Sequence, residues 1–133
     1  MAGAAPAPAR SSGKAAAEPL KGKCALLVED SMIIAMDAEE ALKQTGAAKV
    51  VTAPSVTLAL AALERGGIEF ALLDLNLGNE TSMGVADALT ARGIPFVFAT
   101  GYGEDAGLSA RYPGVPILSK PYSADHIRQA LAD

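Results

Sequence analysis

The sequence predicts an α/β domain built on a five-stranded parallel sheet with helices on both faces. Three observations predict it. From Cys24 onward, short apolar runs alternate with segments of helical periodicity. Runs such as CALLV, FALL and FVFA are apolar at every position, as strands buried on both faces must be. Four runs then end on polar residues: Glu29 and Asp30, Asp74, Thr100, and Lys120. In an open α/β sheet these groups gather at the carboxyl ends of the strands, where such sheets bind ligands.

The elements follow in order. CALLVED is the first strand, and SMIIAMDAEEALKQTG the first helix, with Ser31 as N-cap, Ile34, Ala38, Ala41 and Leu42 inward, and Gly46 as the stop. AAKVVTA is the second strand. Ser55 caps VTLALAALERGG, whose inward face is Val56, Leu58, Ala61 and Ala62 and whose end is Gly66-Gly67. IEFALLDL is the third strand, the loop NLGNETS follows, and MGVADALTARG is the third helix. IPFVFAT is the fourth strand, with Pro95 tolerated at its start. GEDAGLSARYPG is a poor helix, broken by Gly107 and closed by Pro113 and Gly114. VPILS is the fifth strand, and SADHIRQALAD the last helix, capped by Ser123 with Ile127, Ala130 and Leu131 inward. Phe70, Phe96 and Phe98 belong to the core. His126, the only histidine, lies among polar neighbours and reads as solvated.

Residues 1–21 carry almost no large apolar side chains and are rich in Ala, Pro, Gly and Ser. They read as a flexible tail or linker, because they cannot bury enough surface to offset the entropy of ordering. Residues 22–133 read as one domain, a length that supports a core without staples. The single Cys24 forms no disulfide framework and reads as a small buried hydrophobe. No apolar stretch approaches the length of a membrane span, and the N-terminus lacks a signal-like apolar core, so a soluble cytoplasmic protein is expected.

Four of the eleven basic residues precede the first strand, and fourteen of the fifteen acids follow it. Such a surface argues against direct nucleic-acid binding, which needs clustered Lys and Arg. Part of the negative charge falls at the strand ends. Clustered carboxylates repel one another unless a cation joins them, which points to a metal.

An acidic pair after the first strand, an Asp after the third, a Thr after the fourth and Lys-Pro after the fifth together resemble the receiver domain of two-component response regulators. The likeness spans residues 22–133. It implies a flavodoxin-like, doubly wound sheet of strand order 2-1-3-4-5. It also implies that Asp74 is the phosphoacceptor nucleophile and belongs to the Mg²⁺ site, that Asp30 ligates Mg²⁺ directly, that Glu29 acts mainly through a metal-bound water, and that the Asn76 backbone carbonyl completes the protein's contacts. Thr100 and Lys120 would each meet a phosphoryl oxygen, and the Lys120–Pro121 bond is commonly cis in the family. These residue types suit the chemistry: bringing a phosphoryl dianion to a carboxylate requires charge neutralisation and positioning, and Mg²⁺ takes hard oxygen ligands.

The run PFVFATGY, from Pro95 to Tyr102, is similar to the FAT GUY subclass of receivers, associated with alphaproteobacterial stress and light signalling. Receivers usually carry an aromatic switch residue three positions before the lysine. Here that position is Ile117, and Tyr102 becomes a candidate for part of its role, alongside Thr100. The implied partners are a sensor histidine kinase or a histidine phosphotransfer protein, docking over the first helix and the loop after the fifth strand. Met32, Ile33 and Met36 are candidate contacts there, and at least one should face outward. The sequence names no downstream partner.

The resulting expectation is a phosphoacceptor switch, with no enzyme activity beyond its own aspartyl phosphorylation and dephosphorylation. It would be a stand-alone regulator or the receiver end of a hybrid kinase, because no output domain follows the last helix. Two alternatives stay open at this stage. One is a phosphorylation-independent interaction module, which the intact acid pair, Asp74, Thr100 and Lys120 oppose. The other is a phosphatase of the haloacid dehalogenase type, but Asp74-Leu75-Asn76 lacks that group's second carboxylate and the chain has no room for a cap domain.

Overall fold

A computed structural model describes residues 18–101 and 107–132. Five parallel strands form one sheet: β1 (Cys24–Val28), β2 (Lys49–Ala53), β3 (Phe70–Asp74), β4 (Phe96–Thr100) and β5 (Ile117–Ser119). Their order is β2-β1-β3-β4-β5, the predicted one. Five helices alternate with them: α1 (Met32–Gln44), α2 (Val56–Arg65), α3 (Met83–Arg92), α4 (Leu108–Arg111) and α5 (Ala124–Ala132). Among the described residues, no helix is long and apolar enough to cross a membrane.

Alternation along the strands builds two cores. Leu26, Val28, Ala71, Leu73, Phe96 and Phe98 point to one face, where α2, α3 and α4 supply Ala59, Ala62, Leu63, Val85, Leu89 and Leu108. Ala25, Leu27, Phe70, Leu72, Val97, Ala99 and Leu118 point to the other, covered by Ala35, Ala38, Ala41 and Leu42 of α1 and Ile127 of α5. Every residue of β3 and β4 is buried, as their apolar runs require.

The caps explain where the helices start and stop. Ser31 Oγ accepts from Ile34 N and Ser55 Oγ from Leu58 N, so each serine satisfies an N–H that the first turn leaves open. Gly93 ends α3 in the left-handed conformation. At α5, Ser123 N donates to His126 Nδ1 at 2.9 Å, the reciprocal half of a capping box, so the exposed histidine has a local task.

Two helix faces differ from expectation. Ile34 is partly exposed, and Ala35 takes its place in the stripe Ala35, Ala38, Ala41, Leu42. Leu58 also faces outward, and the buried stripe of α2 is Ala59, Ala62 and Leu63. One residue of phase is about 100° of rotation. In both helices small alanines face the sheet and let the helix lie close to it, leaving the larger neighbour outside. Ahead of β1, Leu20 is only 3% exposed and its N–H donates to Thr45 O, so this stretch, grouped with the tail by composition, is tied to the end of α1.

Candidate functional site

The sheet order reverses beside β1, since β2 lies on one side of it and β3 on the other. The chains leaving β1 and β3 therefore diverge, opening a crevice at their carboxyl ends. Glu29 and Asp30 follow β1 into that crevice, and Asp74 is the last residue of β3. The three carboxylates offer oxygen atoms that all lie within 4.8 Å of one another. Glu29 and Asp74 are buried, and Asp30 is exposed at the mouth.

β5 delivers the cation. Lys120 N donates to Thr100 O at 2.8 Å, extending the β4–β5 pairing one residue past the strand. From there Lys120 Nζ reaches Asp74 Oδ1 at 2.7 Å and Glu29 Oε1 at 3.7 Å. The Lys120–Pro121 bond is cis. Thr100, the last residue of β4, is buried.

Burial sets the electrostatics. It raises the Glu29 pKa to about 7, and the Asp74 charge pushes in the same direction, while the hydrogen bond from Ser31 N to Oε2 and the Lys120 charge oppose. Burial also raises Asp74, against the closer ammonium of Lys120. The nearness of the two buried carboxyls raises Glu29 further, on top of burial. Asp74 Oδ1 is buried with no aligned hydrogen bond, its close neighbour being the ammonium. An all-oxygen set of three clustered carboxylates fits a hard divalent cation such as Mg²⁺. When bound, the cation supplies the charge that three clustered carboxylates lack.

The loop after β3 runs beside Asp30. Leu75 N donates to Ala99 O, Asn76 pairs with Thr81 in an isolated bridge, and Asn76 Oδ1 accepts from Gly78 N at 3.0 Å. Gly78 has φ +88°, and a Cβ there would sit 3.6 Å from Asp30 Oδ2. Glycine thus meets a left-handed backbone beside the acid pair.

The structure brings Glu29, Asp30, Asp74 and Lys120 into contact range, with Thr100 and Asn76 on the adjoining strand end and loop. Ile117 does not join them. It is the register partner of Phe98 in β5 and packs with the core beneath α2–α4. Tyr102 lies outside the described residues. Sequence reading passed over Tyr122, which follows Lys120-Pro121, is mostly buried, and lies near enough to Glu29 and Asp74 for their charges to join burial in raising its phenol pKa. Its place beside the Lys-Pro pair was the available signal. It lines a cleft of about 320 Å³ with Ile34, Asp37, Ala38, Lys120 and Pro121. α1 also exposes Met32 (80%), Ile33 (78%) and Met36 (68%), in keeping with the expectation that at least one of them faces outward.

The family model of the response regulator receiver domain matches residues 25–132. Among solved structures, SdrG from Sphingomonas melonis Fr1 is 45% identical over 84% of this chain and 94% of its own, with a TM-score of 0.69. The BeF3-activated conformation of SdrG from Pseudomonas melonis Fr1 is 46% identical over 82% and 92%, with a TM-score of 0.68. A CheY-like receiver domain from Methylobacillus flagellatus is 27% identical over 84% and 98%, with a TM-score of 0.73. No curated protein matches the chain.

Proposed function

The chain belongs to the response regulator receiver domain family, and from that premise we propose that it is a phosphoacceptor switch carrying its phosphoryl group on Asp74. The observation that carries this reading is the ion pair between Lys120 Nζ and Asp74 Oδ1 within a cluster of three carboxylates. A carboxylate oxygen of Asp74 attacks the phosphorus of a phosphohistidine. The P–N bond breaks, an acyl phosphate forms, and the imidazole leaves. Lys120, already at the nucleophile, moves onto a phosphoryl oxygen, and the Thr100 hydroxyl donates to another. Glu29, Asp30, Asp74 and the Asn76 carbonyl would hold Mg²⁺, with Glu29 acting mainly through a bound water, and the ion would supply positive charge to the incoming phosphoryl group. A relative at 46% identity whose solved form is BeF3-activated supports this reading.

The donor is a sensor histidine kinase or a histidine phosphotransfer protein, seated over the exposed face of α1 and the Pro121-Tyr122 loop. The likeness of PFVFATGY to the FAT GUY motif supports a receiver of that subclass, either a stand-alone regulator or the receiver of a hybrid kinase, acting in the cytoplasm. Its catalysis is confined to its own phosphorylation and dephosphorylation. The test is incubation with Mg²⁺ and a small phosphodonor, followed by intact-mass measurement. Wild type gains one phosphoryl group, Asp74→Asn gains none, and no gain in wild type refutes the reading.

A further inference from the structure

Tyr112 directly follows α4, is buried, and joins three elements. Its ring packs edge-on against Phe96, with centroids 6.2 Å apart, and tilted against Phe98 at 5.3 Å. Phe96, Phe98 and Thr100 alternate along β4 and so share one face of the sheet. The ring thus leans on the same side of the strand that ends in Thr100. At its other end the hydroxyl, with one hydrogen to give, donates to Asp87 Oδ1 at 2.8 Å and lies 3.2 Å from Met83 O, both on α3. Arg111 reinforces the junction, pairing with Asp87 at 3.2 Å and lying 5.5 Å over the Tyr112 ring.

We infer that the Tyr112 hydroxyl is a latch that fastens the α4 end to α3 in the phosphoryl-free state and opens when Thr100 moves toward a phosphoryl group. The inference rests on the phosphoacceptor reading above. Movement of Thr100 shifts the face of β4 on which the ring is stacked, and an aromatic ring transmits that shift to its hydroxyl as a rigid body. Ile117, beside Phe98 on the same face, is aliphatic and offers no hydroxyl of its own to such a coupling. The latch is weak enough to open, because Asp87 is 56% exposed and water can replace the phenol. Tyr112 is therefore a positioning residue and touches no reacting atom.

A latch closed only in the resting state holds the domain back from the active one, so removing it favours activation. Beryllofluoride with Mg²⁺ is titrated into wild type, Tyr112→Phe, Asp87→Ala and the double variant, following the Thr100 amide by NMR. Tyr112→Phe keeps the ring and loses only the hydroxyl. It is expected to bind beryllofluoride roughly threefold to tenfold tighter than wild type, the worth of one partly exposed hydrogen bond. Asp87→Ala should show a similar gain, and the double variant no further gain. Unchanged or weaker binding in Tyr112→Phe and Asp87→Ala overturns the latch while leaving the phosphoacceptor reading intact. A wild type that fails to bind overturns both. Asp87 is largely solvated, so its variant carries the test if Tyr112→Phe does not fold.

Discussion

Lys120 Nζ stands 2.7 Å from Asp74 Oδ1, and the Asp74 side chain is only 4% exposed. A nearly buried carboxylate is costly without a partner, and this ammonium is the nearest one. The same contact positions the lysine where an incoming phosphoryl oxygen would need it.

Replacing Lys120 by Met should therefore destabilise the metal-free domain, since it strands Asp74 beside Glu29. A loss of about 1–3 kcal/mol is expected near pH 8, below the full cost for a buried pair because Lys120 is partly exposed. Urea unfolding in the presence of chelator measures it. Unaltered stability would show that the ion pair contributes nothing.

Stability should also depend on pH through Glu29. In the unfolded chain this carboxyl releases its proton near 4.5, whereas in the folded chain it holds it to about 7. The folded state binds more protons between those values, so the metal-free domain loses stability as pH rises from about 4.5 and levels off above about 7. The upward shift of Asp74 adds a loss of the same sign. Denaturation curves across this range should show the decline, and Glu29→Gln should flatten it. A wild-type profile that rises with pH would reverse the assignment.

Mg²⁺ should raise the thermal midpoint of the wild type, and chelator should restore the original value, because a ligand that binds only the folded form stabilises it by mass action. Asp30→Ala should weaken Mg²⁺ binding by about tenfold or more, judged by NMR titration. Equal affinities would remove Asp30 from the cation site.

Met32 and Met36 project from α1 into solvent. Changing both to Ser should alter stability by no more than about 0.5 kcal/mol. Transfer from a phosphohistidine partner should slow severalfold, while labelling by a small phosphodonor stays constant. Equal slowing of both would point to damage at the site itself.

The fold and the acid crevice were legible because each depends on local pattern. A strand buried on both faces must be apolar throughout, and a polar residue at its end marks where the sheet stops; Val28-Glu29-Asp30 and Leu73-Asp74 show this directly. The phase of α1 and α2 was less legible. Periodicity favours the larger side chain as the inward one, but packing against the sheet selected Ala35 over Ile34 and Ala59 over Leu58. The Tyr112 contacts were not legible at all. They join residues 25 and 29 positions apart in the chain, and only the packing of α4 against α3 brings them together. The raised pKa of Glu29 likewise follows from burial beside Asp74, which lies far along the chain.

The most direct test of the central claim is the intact mass of the protein after incubation with Mg²⁺ and a small phosphodonor, with the modified residue located by borohydride trapping of the acyl phosphate. The account predicts one phosphoryl group on Asp74 in wild type and none in Asp74→Asn. Absence of the modification in wild type, or an equal gain in Asp74→Asn, would contradict it.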